Sequence, residues 1–558
     1  MNHPQMTHMP TQQQYQNFAL QQQVIYKLNQ LRCQGYILNN EEYNMLMQNL
    51  TLNELQHVHE FYEVLDAQIL KLQQDQEIKL QKTSKLRQVA FTLIRDEIKA
   101  LYRSKVHRSA GGERTLENQV KVEIYGSMAT GLAIDSSDLD ILVHDFVDSN
   151  SPRFHQMSRQ ELIEEMQMIH RALGSVFALQ SSTLIDSATV PVIKLKIDLM
   201  KLCRREKERD ESFEVDPSDL EQDEETKELN IDITLDEPKK AATGPGGEAN
   251  EHLGLQCCKY IKRRLDEYPK IKILALVFKK FLSLKDLNKP YSGGLSSYSL
   301  VQMILALLRQ EEQHLNYLKQ LDSMALNCAQ LYQDRLSVGM IFKHFIFEYG
   351  FQFDSVERGI DKDGLFKPRE ALSYILHQPS CNINKTLARN EREDNAAAMM
   401  TGMPDAPCTC GAGSGLMSHH HAQRNKPSDG VVQGAGGDES GAGGAGNLLE
   451  VLRGLLTTGK APPGMHGESK DADQIDSDAA GKFKRGGALA HMAPPQLIIA
   501  DPLNKFNNIG KSSYNFQVIQ EELREVYKRL NFELVQFVRY VARGAQGGGG
   551  LPQNAFQS

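Results

Sequence analysis

Tyr125-Gly126-Ser127-Met128-Ala129-Thr130-Gly131, followed by Ser137-Asp138-Leu139-Asp140, is the stretch that decides the reading of this chain. It joins a small-residue turn to two carboxylates one residue apart. In a strand, residues i and i+2 point to the same face, so Asp138 and Asp140 project together. Two anions held that close repel each other unless a cation sits between them, and hard divalent cations prefer oxygen ligands. The Gly126-Ser127 turn offers backbone N–H groups and a hydroxyl to a phosphate. A phosphate cradle beside paired metal carboxylates is the apparatus for moving a nucleotidyl group by two-metal chemistry. A lone Asp-x-Asp says little, because acidic pairs are common on solvated surfaces. Here Thr130-Gly131 stands between the turn and the acids, and the apolar strand Ile141-Leu142-Val143 follows them, which makes the pattern specific.

The bulk properties set limits. A length of 558 residues suggests two to four domains, and 40% apolar residues can fill real cores. The net charge of −8 excludes a basic coat for nucleic acid, so RNA contacts must come from local patches. Eight scattered cysteines give no disulfide framework, which favours a reducing compartment. The Gln-rich start does not read as a signal peptide, and no apolar run reaches ~18 residues, so no membrane span is expected.

Composition divides the chain. Residues 1–82 form an arm: 1–20 are Gln-rich and read as disordered, and 21–82 are helical and read as a solvated extension rather than a coiled-coil partner arm. Residues 83–251 form an α+β domain. In it a helix runs from Leu86 to Tyr102 and the strand Val120–Tyr125 precedes the motif. Two helical stretches and the strand Val190–Leu195 follow. Residues 203–228 are too charged to bury and read as an insertion loop, a hairpin tip at the sheet edge. Residues 252–388 and 495–543 read as one helical domain, interrupted by a Gly-rich disordered insertion at 389–494; 544–558 form a flexible tail.

Two-metal transfer needs a third group near the attacking hydroxyl. Asp198 and Asp232 both stand on apolar strands. Asp232 sits in strict alternation within Leu229–Leu235, whereas Asp198 leads into a charge-rich run like a strand end, so Asp232 is the stronger candidate.

The motif resembles the DNA polymerase β-like nucleotidyltransferase superfamily, and the chain as a whole is similar to noncanonical poly(A) polymerases of the Trf type. The likeness rests on Gly126-Ser127 with Asp138-x-Asp140, on Val190–Lys194 with Ile231-Asp232-Ile233, and on Asn250–Leu255. It extends through Val277–Leu282, Gly293–Leu300 and the loop Asp501–Tyr514. The resemblance implies an α+β nucleotidyltransferase catalytic domain with a mixed sheet and flanking helices. A helical central (poly(A) polymerase-associated) domain would follow. It also implies Mg²⁺ or Mn²⁺ at Asp138, Asp140 and Asp232, ATP as substrate, RNA 3′ ends as acceptor and a nuclear location. A zinc-knuckle RNA-binding protein and an RNA helicase are the partners it suggests.

The nucleotide would be held by Gly126, Ser127, Asn250, Lys279, Ser297, Tyr298, Asn507 and Asn508. Tyr298 offers an aromatic face for a base. Lys279 offers a point charge to the β/γ-phosphates. Ser297 offers a hydroxyl to a phosphate oxygen or a cap to the following helix, and Asn250 a ribose contact or ordinary turn chemistry. Related uridylyltransferases carry histidine at the position of Asn507, so adenylation is expected. Asn508 replaces the Asp common in the family loop and relaxes strict choice of ATP.

Three rivals remain: a uridylyltransferase, an inactive scaffold of the same fold, and an enzyme that adenylates a protein or small molecule. Two decoys do not survive scrutiny. Gly454–Lys460 imitates a P-loop without the Ser/Thr for magnesium, and Cys408-x-Cys410 with His419–His421 lacks the spacing of a zinc module.

Overall fold

The computed structural model describes residues 11–103, 106–109, 112–115, 120–146, 157–188, 190–215, 217–221, 227–236, 252–320, 337–376 and 496–546. Asn250, the P-loop imitation, the Cys408–His421 segment and the 389–494 insertion lie outside them, as does a second unit at His377–Gly444.

Helix α1 (Gln12–Cys33) starts at a capping box in which Thr11 and Gln14 exchange side-chain and backbone bonds. Helices α2 (Asn40–Asn49) and α3 (Leu52–Leu55) lead into the 46-residue α4 (Val58–Arg103). The apolar residues of α4 repeat at three and four, but in two separate sets. Val58, Phe61, Tyr62, Leu65 and Ile69 enter one core, and Leu86, Ala90, Ile94, Ile98 and Tyr102 enter another. One helix therefore ties two hydrophobic cores together.

This corrects the reading of residues 21–82 as a solvated extension. Leu28, Leu46, Leu55 and Phe61 are fully buried in the core that also holds the central helices. Behind them Lys343 pairs with Glu42 and donates to Tyr62 Oη (2.7 Å), while Tyr527 Oη donates to Glu42 (3.0 Å). Burial lowers the Lys343 pKa, and Glu42 opposes that shift. Leu65→Ala is expected to cost ~2–5 kcal/mol, the usual range for a buried leucine. Thermal or denaturant unfolding checks this; an arm that merely trailed in solvent would show no change.

Strands β1 (Val106–Ser109) and β2 (Gly112–Thr115) form a small hairpin. The main sheet contains β3 (Lys121–Tyr125), β4 (Leu139–His144), β5 (Leu179–Ile185), β6 (Val192–Asp198) and β7 (Glu228–Leu235) in the order β3-β4-β7-β6-β5. Only β4 and β7 are parallel, so the sheet is mixed. Between β3 and β4 lies the short helix α5 (Gly126–Thr130), and between β4 and β5 lies α6 (Arg159–Leu173). Register stacks Ile124, Ile141, Ile233, Ile193 and Leu184 in one row across all five strands, on the face packed against α4 and α6.

Two further expectations are corrected here. Of the two helical stretches placed after the motif, the described residues contain α6 and then strand β5, whose Gln180-Ser181-Ser182-Thr183 centre hides its type. The charged 203–228 segment contains most of α7 (Leu199–Arg209) and the short α8 (Pro217–Glu221). Leu202 and Cys203 are buried, so part of this segment belongs to the core. It joins antiparallel β6 and β7, but β5 and not this pair forms the sheet edge.

The helical domain comprises α9 (Leu253–Glu267), α10 (Lys270–Leu284), α11 (Ser297–Gln320), α12 (Val338–Phe347) and α13 (Phe516–Gln546). A hairpin of β8 (Arg358–Ile360) and β9 (Phe366–Pro368) takes Ile498–Ala500 alongside it, through Ile360 N–H to Ile498 O and Ala500 N–H to Ile360 O. The C-terminal segment thus completes a domain begun far earlier in the chain. Among the described residues no helix is long and apolar enough to cross a membrane.

Candidate active site

The polar face of the sheet carries a second row, one residue out of phase with the isoleucines. Register places Tyr125, Asp140, Asp232, Lys194 and Thr183 opposite one another across β3, β4, β7, β6 and β5. Directly opposed side chains share a face, so Asp140 and Asp232 are neighbours on adjacent strands. Asp138 lies just before β4 and accepts a hydrogen bond from the Asn230 side chain. Asp198 is at the far end of β6, where it caps α7 by accepting from Lys201 N–H (2.9 Å).

Burial and the neighbouring carboxylates raise the pKa of Asp138 and Asp140. Desolvation, then Asp232, then Asp138 push Asp140 up to about 7, against the pull of Lys279 and Lys194. Asp138 keeps an exposed surface, yet partial desolvation and the charge of Asp232 raise its pKa too. Asp232 meets Lys194, whose Nζ donates to both of its oxygens (2.8 and 2.6 Å). Lys194 was not singled out as a site residue in the sequence; the register of β6 on β7 gives it this partner.

The loop between α5 and β4 is clamped from both domains. From α4, Arg87 donates to the carbonyls of Ser137 (2.7 Å) and Asp135 (2.6 Å). Burial lowers the Arg87 pKa to about 10, while Asp135 and Asp138 hold it up. From α10, Lys280 meets both oxygens of Asp135 (3.0 and 3.1 Å), and Lys279 donates to Leu132 O (3.1 Å). Lys279 is buried, and desolvation lowers its pKa to about 8 against the pull of Asp140 and Asp138. The structure thus places Lys279 at the carboxylates, behind the loop wall. Asp135, Arg87 and Lys280 were not found by motif, since their value lies in contacts distant in sequence.

Gly126 adopts φ +67°, and a Cβ there would lie 2.0 Å from Asp140 Oδ2. Only glycine lets the turn sit this close to the carboxylate. On its other side the Gly126 N–H donates to Cys258 Sγ of α9 (3.2 Å). Ser127 follows within α5.

The helical side faces this corner with a second polar group. Asp501 is buried and accepts from Tyr298 Oη (3.0 Å) and Asn507 Nδ2 (3.0 Å). Desolvation and Asp501 raise the Tyr298 pKa, so it stays a phenol. Ser297 opens α11 half-buried, but the cap is Ser296, whose Oγ accepts from Ser299 N–H (3.0 Å). The Asn508 amide is engaged by its own loop: Oδ1 accepts from Ile499 and Gly510 N–H (2.9 and 3.0 Å), and Nδ2 donates to Leu497 O (2.9 Å). Asn507 is the exposed amide of the pair.

Parts of this chain are similar to known proteins. Residues 78–216 match the family described as Poly(A) RNA polymerase, mitochondrial-like, central palm domain. Poly(A) RNA polymerase gld-4 of Caenorhabditis elegans is 24% identical over 270 residues, covering 48% of this chain and 24% of the relative. Over part of its length the chain is similar to noncanonical poly(A) polymerases. It is also 26% identical over 259 residues to the Inactive non-canonical poly(A) RNA polymerase protein Trf4-2 of Drosophila melanogaster, covering 45% and 48%. It thus spans between a quarter and half of the length of these curated relatives. The solved polymerase core of TRAMP, a RNA surveillance complex, aligns with TM-score 0.41 at 14% identity over 82% of this chain and 85% of the other.

The family expects a divalent cation, and the donor set can be tested for it. Three carboxylates offer hard oxygen ligands, and their mutual repulsion marks a corner short of positive charge. Among the described residues no three such side chains converge as a ready metal site, and Asp232 is engaged by Lys194. The oxygen donors of Asp138, Asp140 and Asp232 suit a divalent cation.

Proposed function

We propose that this chain is a template-independent RNA 3′-terminal nucleotidyltransferase that adds adenylate from ATP. The observation that carries the reading is the row in which register sets Asp140 against Asp232, with Asp138 one step away. Asp138, Asp140 and Asp232 would hold Mg²⁺ or Mn²⁺. When bound, the metal neutralises charge at the α-phosphate and makes the 3′-hydroxyl easier to deprotonate. Asp232 takes part in removing that proton. The 3′-oxygen then forms its bond to the α-phosphorus in line, and the bond to the β-phosphate oxygen breaks, releasing pyrophosphate. Gly126 and Ser127 orient the triphosphate, and Tyr298 stacks on the base.

The choice of base follows from the orientation of Asn507. Asn507 Nδ2 donates to Asp501, which leaves its Oδ1 as the acceptor available to a base. Such an acceptor suits the amino group of adenine, whereas the O4 of uracil needs a donor. A relative carries the word inactive in its name. Here all three carboxylates are present, which supports an active enzyme over a scaffold. Association with an RNA-binding protein and a helicase, and a nuclear location, belong to the same proposal. They rest on the family resemblance.

The test is extension of a labelled oligoadenylate RNA with Mg²⁺ and each nucleoside triphosphate separately, beside an Asp138→Ala/Asp140→Ala protein. A ladder with ATP, absent in the variant, is expected. A UTP ladder overturns the reading of Asn507. No ladder even with added RNA-binding partners leaves the scaffold.

A further inference from the structure

Between α10 and α11 the chain turns through Asp286–Ser292, and Tyr291 is 78% exposed there. Tyr514, on the loop before α13, is 55% exposed. The two are held together. Tyr514 Oη donates to Tyr291 O (3.2 Å), and Asn515 donates from N–H to Gly293 O (3.0 Å) and from Nδ2 to Ser292 O (2.8 Å). Gly293, at φ +87°, admits the Tyr514 ring so closely that a Cβ would lie 2.4 Å from it. These bonds fix the backbone beside both rings while leaving much of each ring in water.

The location gives the pair meaning. Lys289, two residues before Tyr291, pairs with Asp286 (2.6 Å). That bond raises the Lys289 pKa, and Asp138 adds to the rise, so this loop borders the catalytic carboxylates. Lys511 stands exposed three residues before Tyr514. Exposed aromatic faces interleaved with lysines suit unpaired bases on a phosphate chain; an apolar protein partner would not need the cations. The base of the incoming nucleotide already has Tyr298, so the second aromatic site falls to the other substrate.

We propose that Tyr291 and Tyr514, with Lys289 and Lys511 beside them, form a platform for the last nucleotides of a single-stranded RNA acceptor. They stack its bases as the 3′ end enters the cleft. This rests on the proposed function for its acceptor. No base-edge donor or acceptor is needed, so the platform is tolerant of sequence, as tail addition requires.

The experiment measures binding of a fluorescently labelled oligoadenylate to the full chain at low ionic strength, and KM for RNA and for ATP separately. Tyr291→Ala is expected to raise the RNA Kd and the RNA KM about 5- to 150-fold, the range for loss of one stacked base, with the ATP KM unchanged. Tyr291→Phe, which keeps the ring, restores both. Equal thermal melting of the three proteins shows the fold intact. A Tyr291→Ala protein that binds and extends RNA like the wild type overturns the platform while leaving the proposed function standing. A wild type that neither binds nor extends RNA even with an RNA-binding partner added overturns that function, and the platform with it.

Discussion

Asp140→Asn is expected to lower nucleotide addition about a thousand-fold or more, and at the same time to raise the melting temperature of the chelator-treated protein at about pH 8. The first effect follows from losing one charged ligand, worth several kcal/mol in the transition state. The second follows from repulsion. In the folded state Asp140 holds its proton up to about pH 7, because burial, Asp232 and Asp138 all oppose its charge, whereas an unperturbed carboxyl releases it at 3.8. The folded chain therefore binds more protons than the unfolded chain between these values, and stability falls as pH rises through that window. The gap between them corresponds to about 4 kcal/mol as an upper bound. The neutral amide of the variant carries no charge and escapes the loss. Melting curves across about pH 4 to 8, with and without Mn²⁺, check this. Wild type should weaken toward alkaline pH and recover with Mn²⁺, while Asp140→Asn should show the smaller response to both. Equal curves would mean that the corner is not under charge strain.

Lys194 offsets part of the negative charge of this corner. It covers Asp232 with two hydrogen bonds, and a divalent cation that takes Asp232 must displace it. The same fact explains what was legible in the sequence. Gly126-Ser127 with Asp138-x-Asp140 was readable because the spacing is local, and Asp232 because its strand alternates strictly. Lys194 carries no motif of its own here; only the register of β6 on β7 gives it a partner. Asp135 likewise looks like one more loop acid until Lys280 and Arg87 close on it from two other helices. Strand β5 was missed because its centre is polar and half-exposed, so it shows neither clean alternation nor an apolar run. The arm was misread for the opposite reason. Its apolar residues were visible, but nothing local says that they pack against Phe278, Phe345 and Leu530, which lie hundreds of residues away.

The sharpest steric prediction concerns Gly126. Gly126→Ala is expected to cost about a hundred-fold or more in activity while the protein stays folded. Two effects are mixed at this position. One is backbone strain, since φ +67° is a conformation that costs an L-residue ~1–2 kcal/mol. The other is collision, since the new methyl would stand 2.0 Å from Asp140 Oδ2 and 2.8 Å from its Cγ. Asp140 must then swing aside by an ångström or more, and a misplacement of that size costs about two orders of magnitude in rate. Gly131 separates the two effects. It has φ +75° in the same turn, but a Cβ there meets nothing within 4 Å. Gly131→Ala should therefore lose stability by the strain alone and keep most of its activity. Steady-state rates and melting curves of both variants decide between them. If the Gly131 variant loses as much activity as the Gly126 variant, the turn matters through its backbone conformation. If only the Gly126 variant is disabled, the glycine is there to make room for Asp140.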